Sequence, residues 1–118
     1  MTNETRRRLL DLKVLLSCQA IGRYTAELDF AAYERDNMVR DAVERRLGII
    51  GEALNRAVAC EPTLIDRVPE LRQIVGLRHR VNHGYDAVDD EIVWDIVQHK
   101  LPLLQASVEA LLEEVEPR

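Results

Sequence analysis

The chain has 118 residues, 47% apolar and 31% charged. That is the balance of one globular domain, 1–118, able to bury roughly two-thirds of its unfolded surface. Five glycines and four prolines are too few for a many-turned all-β protein, and the abundance of Leu, Ala, Arg and Glu favours helices. The formal charge of −5 hides a division, since residues 1–84 carry 14 basic and 12 acidic groups while residues 85–118 carry 2 and 9, so net acidity does not exclude a nucleic-acid partner.

All but two of the basic residues, Lys13 and Lys100, are arginine. Guanidinium groups favour two-point contacts to phosphate or carboxylate, although arginine as a preferred surface cation is the simpler explanation of the bias. Asp11 and Lys13 break the apolar stretch near the N-terminus, and no small-residue cleavage site follows, so no secretory leader is expected. No uncharged apolar run approaches the roughly 20 residues that span a bilayer. Cys18 and Cys60 stand apart with no CxxC spacing, which suits reduced core residues of a cytoplasmic protein.

A first helix is predicted from about Glu4 to about Glu27, with Leu9, Leu12, Leu16, Ala20 and Tyr24 on one face and Leu10, Val14, Ile21 and Leu28 on another. Apolar residues on more than one side suit a bundle interior or a subunit contact. Asp29 can cap a short helical turn over Phe30 to Arg35. A second long helix, from about Asn37 to Cys60, places Val39, Val43, Leu47, Ile50, Leu54 and Val58 in steps of three and four. Asp41 with Arg45 and Glu52 with Arg56 sit at i, i+4 on its polar side. Gly48 and Gly51 each cost the helix about 1 kcal/mol and call for a closely packed neighbour.

Pro62 and Pro69 bracket a connector. A third helix then enters through Pro69 and is released at Gly84. Asp89 is the predicted cap of a last helix running to about Glu114. Its stripe is Trp94, Val97, Leu101, Leu104, Val108, Leu111 and Val115, with a bend at Pro102. Four main helices and no credible strand make an all-α up-and-down bundle.

On a wheel of about 100° per residue, Leu71, Ile74, Val75, Val81 and Tyr85 surround Arg78. An arginine at the middle of an apolar face must pair with a carboxylate, snorkel to an edge, or line a cleft that holds an anion. A buried pair with Glu52 is the structural reading. His83 lies about 140° around an ideal helix from Arg78, so the two meet only if the helix loosens near Gly84 or a second subunit completes the site. His79 and His83, at i, i+4, could form half of a zinc site, but Arg80 separates them and His99 is the only other histidine. No metal and no cofactor is therefore expected.

These residues spell Arg78-x4-His83-x-Tyr85, within GLRHRVNHGYDAVDDEIVWDIVQHKLP. The chain resembles the HEPN domains, specifically the HepT-like toxins. The resemblance reaches back through AVERRLGIIGEAL and forward past Val93, Trp94 and Pro102, essentially the whole length. It implies a helical homodimer whose two motifs share a cleft and cut RNA without a metal. It also implies a partner antitoxin, an MntA-like nucleotidyltransferase that adenylylates the motif tyrosine. By position, Arg78 and His83 match the active pair and Tyr85 the modified residue, with His79, Asn82 and Glu52 as supporting candidates. The family commonly has Asn directly after the motif arginine, where this chain has His79. A second functional class fits the same fold: a non-catalytic subunit that docks to and regulates the nucleotidyltransferase.

Overall fold

The computed structural model describes residues 3–5, 7, 14–82 and 89–114, and side chains at all of these except 77–82 and 114. Helix α1 spans Val14–Thr25, α2 Phe30–Arg35, α3 Asn37–Cys60, α4 Leu64–Arg67 and α5 Leu71–Asn82. Helix α6, Asp90–Asp95, runs through a π-helical turn, Ile96–Lys100, into α7, Leu101–Glu114. Asn3, Glu4, Thr5 and Arg7 are also helical. No strand occurs among the described residues, and the fold is an all-α bundle. Helix α3 is its centre, packed chiefly against α5 and α1, while α7 lies on α1, and α2 bridges α3 and α6.

Caps set several boundaries. Asp29 Oδ1 accepts from the Ala32 N–H at 2.8 Å, Asp36 Oδ1 from Val39 at 3.1 Å, and Asp89 Oδ1 from Glu91 at 2.9 Å and Ile92 at 3.4 Å. Each side chain satisfies N–H groups that the first helical turn leaves without partners. Val43, Leu47, Ile50 and Leu54 of α3 form the core with Ile21, Ile74, Val93 and Leu104. Every such fully buried side chain contributes about 1.5–3 kcal/mol relative to exposure. Gly51 is buried in the same helix, and Gly48 is half-buried. The aromatic rings of Tyr33 and Trp94 lie 5.1 Å apart, and those of Phe30 and Trp94 6.4 Å apart, fastening α2 to α6.

Four features depart from the sequence pattern. Leu16 is 54% exposed, because α1 turns Val14, Cys18, Ile21 and Thr25 inward and leaves Leu16 on the far side. Cys60 is exposed, and only Cys18 belongs to the core. The connector after Pro62 contains α4, since Leu64 and Val68 both reach the core and the Val68 N–H closes a turn onto the Leu64 carbonyl at 2.9 Å. The expected disturbance at Pro102 appears as the π turn just before it. That wider turn accommodates a ring that cannot donate to the ladder and crowds the preceding carbonyl. The extra residue in the turn shifts the buried stripe, so Val93 and Ile96 are buried and Trp94 is only half-buried.

Candidate active site

Helix α5 buries Leu71 and Ile74 against the core and half-buries Val75. Positions 78, 79 and 82 follow on the same helix. The backbone at 78, 79 and 82 is thus part of the helix that packs most extensively on α3. The side chains of Arg78, His79 and Asn82, and the whole of His83 and Tyr85, lie outside the described residues, as does the expected release at Gly84. Glu52, the supporting carboxylate on α3, is half-buried and accepts from Arg56 Nε at 3.0 Å. One of the two expected i, i+4 pairs on α3 is therefore formed as read.

A second polar group, absent from the sequence reading, stands immediately after residues 83–88. Arg40 of α3 donates through Nη1 to Asp90 Oδ2 of α6 at 3.2 Å, and the two side chains are 29% and 19% exposed. Its Nη2 donates to Asn37 Oδ1. Among the described groups, the Arg40 Nε and the Tyr33 hydroxyl are buried without a hydrogen-bond partner. Burial above all, and then the charges of Asp41 and Asp90, hold the Glu44 carboxyl above the usual carboxylate range, against the pull of Arg40. Burial, then Glu44 and Asp90, likewise raise the Tyr33 phenol, again opposed by Arg40. The cluster ties the start of α6, and so the chain leaving the motif, to the helix on which α5 packs. Its sequence signal was faint. Asp90 reads locally as an acidic residue in a first turn, and its partner lies 50 positions away.

His99 is exposed, with Nε2 4.0 Å from Asp95 Oδ1. No group of three or more His, Cys, Asp or Glu is placed to hold a metal among the described residues, and none of the helices searched there is long and apolar enough to cross a membrane. Exposed guanidinium groups do occur on the helices of the site, at Arg45 of α3 and Arg72 of α5.

An all-α bundle in which the helix packed on α3 carries the start of an Arg-x4-His motif is the architecture of a HEPN-type domain. A family profile described as "Ribonuclease HepT-like" matches residues 14–111, and the chain belongs to that ribonuclease family. Among its relatives, "Putative RNase MJ1380" of Methanocaldococcus jannaschii is 31% identical over 96 residues, covering 81% of this chain and 87% of the relative. "Probable ribonuclease HepT" of Thermococcus cleftensis is 30% identical over 93 residues, covering 79% and 84%. "Putative RNase MJ0127" of M. jannaschii is 28% identical over 105 residues, covering 87% and 84%. No solved structure matches the chain significantly.

Proposed function

We propose that this chain, as a single domain over 1–118, is the toxin of a toxin-antitoxin pair, a metal-independent endoribonuclease active as a homodimer in the cytoplasm. The observation that carries this reading is Arg78-x4-His83-x-Tyr85 itself. It starts on the helix packed against α3 and falls wholly within the part of the chain matched to the ribonuclease family.

RNA brings its own nucleophile. His83, an imidazole whose ordinary pKa lies near neutrality, takes the proton of the 2′-hydroxyl as that oxygen attacks the adjacent phosphorus. The bond from phosphorus to the 5′-oxygen breaks, and the leaving oxygen is protonated. The products are a 2′,3′-cyclic phosphate and a 5′-hydroxyl. Arg78 stabilises the charge that grows on the non-bridging oxygens with two-point hydrogen bonds. One histidine does not serve comfortably as base and acid in the same turnover. A dimer supplies a second His83, and His79 is a further candidate, with Asn82 and Glu52 in supporting places. The exposed Arg45 and Arg72 suit contacts to neighbouring phosphates.

The antitoxin of this reading is an MntA-like nucleotidyltransferase. The Tyr85 oxygen attacks the α-phosphorus of ATP and pyrophosphate leaves. The resulting AMP group puts a phosphate near Arg78 and blocks the scissile phosphate by charge and bulk. Incubation with the cognate transferase and ATP adds the mass of AMP to the wild type and silences it. Tyr85→Phe keeps most of its nuclease activity and escapes both. Labelling of Tyr85→Phe to the wild-type extent would place the modification elsewhere. The alternative of a non-catalytic subunit draws on His79, which stands where the family commonly has Asn. It predicts an RNA-inert protein that changes the transferase's own rate.

A further inference from the structure

A cavity of about 290 Å³ opens between α1 and the junction of the π turn with α7, well apart in the chain from the motif. Ile21, Gly22 and Thr25 form one wall, and Val97, Gln98 and Gln105 the other. Its volume lies near the lower end of the roughly 300–1,000 Å³ of small-molecule sites. Among the described residues, no Asp, Glu, Lys, Arg or His lines it. The Cys18 thiol in its lining is pushed up to about 12, by burial first and then by the charge of Glu109, and so stays neutral. The chamber therefore suits a ligand that is itself uncharged where it enters.

The polar groups of the chamber have distinct availability. The Thr25 hydroxyl is already used, donating to the Ile21 carbonyl at 2.9 Å. The Gln98 and Gln105 amides can each donate and accept. Pro102, also in the lining, has no N–H. Whichever carbonyl position 102 would serve, that of Gln98 in an α turn or of Val97 in a π turn, lacks that donor, and both residues face the chamber. The site thus combines apolar walls with two side-chain amides and a proline that offers no N–H. At Gly22 a Cβ would meet nothing within 4 Å, so the wall of α1 is open there.

We propose that this cavity receives an unpaired adenine base, one splayed out of the single-stranded RNA substrate. The proposal rests on the ribonuclease reading for the source of the base. A nucleobase is neutral at pH 7, has two apolar faces, and carries donors and acceptors on its edge. Unpaired RNA bases are recognised by this combination of contacts. Glutamine pairs with the N6 and N7 edge of adenine in two-point geometry. The phosphates stay outside, where Arg23, exposed and next to Gly22, can meet them.

The test measures binding without turnover. Methyl signals of Ile21, Leu28, Val97 and Leu101 are followed by NMR as oligo-2′-deoxyadenylate, which lacks the nucleophilic hydroxyl, is added to the full chain. Deoxyoligomers of the other three bases and free AMP serve as comparisons. The expected result is saturable shifts that are strongest for the adenylate oligomer. They weaken at least about tenfold in Gly22→Leu, which fills the opening, and persist in Gly22→Ala. No shift with any oligomer, or unchanged binding by a folded Gly22→Leu, overturns the site. AMP binding as tightly as the oligomer assigns the cavity to a free nucleotide and overturns the RNA assignment. Binding in a protein that cuts no RNA refutes the ribonuclease reading and leaves the adenine site standing. Cleavage without binding does the reverse.

Discussion

Gly76 occupies the interior of α5, two residues before Arg78, and is exposed. A Cβ built there meets nothing within 4 Å, and its backbone is not in the left-handed region that favours glycine. Replacement by alanine therefore adds no clash and removes a glycine from the middle of a helix. That change is worth about 0.8–1 kcal/mol in helix propensity, part of it gained by restricting the unfolded chain. For 118 residues, an unfolding entropy of about 2.1 cal/mol/K per residue turns this gain into a Tm rise of about 3–4 °C. Thermal melts followed by circular dichroism, at two protein concentrations so that any dimer contribution is visible, measure it. Gly22→Ala, in the last turn of α1, gives a smaller rise by the same logic. A lowered Tm for Gly76→Ala in a folded protein would mean that something packs where the structure shows open space.

Glu44 has a carboxyl pKa raised above the usual 4.5 in the folded chain, so its unfavourable charge weakens the fold at neutral pH. That cost disappears once pH falls below the unfolded value. Glu44→Gln should therefore raise Tm at pH 7, with the gain shrinking toward pH 4; a gain that grows as pH falls would reverse the sign. Cys60 is exposed, whereas the Cys18 thiol is buried and pushed up to about 12. A thiol reagent should modify Cys60 alone in native protein and both cysteines in denaturant, as counted by mass spectrometry, and fast native labelling of Cys18 would contradict its burial. If the shared cleft is right, light scattering should show a dimer at micromolar concentration, and a fully active monomer would rule it out.

The long helices were legible because their signals are local. The steps of three and four from Val39 to Val58 delimit α3 as it stands, and its Asp36 cap came to light only in the structure. Asp29 and Asp89 announce their helices through the same side-chain chemistry. What escaped depends on three-dimensional neighbours. Leu16 looks apolar enough for any face, but which face of α1 turns inward is decided by α3 and α7. The π turn answers to Pro102 together with the need to keep Val93 and Leu101 buried on either side of it. The Arg40 to Asp90 pair joins residues with no sequence relation. Arg78 announced itself by its charge on an apolar face, and Glu52 only by lying beside the glycines. The motif suggested a chemistry through its residue types, whereas the partner for each group is set by tertiary and subunit contacts that periodicity does not encode.

The most direct test of the account is RNA cleavage by purified wild type, His83→Ala and Arg78→Ala in the presence of EDTA, with the product ends identified. Wild type should cut unimpaired and leave 2′,3′-cyclic phosphates, while each variant, its helical circular dichroism intact, loses at least about 10²-fold in rate. Wild-type rates in both variants, or a strict requirement for a divalent metal ion, would contradict it.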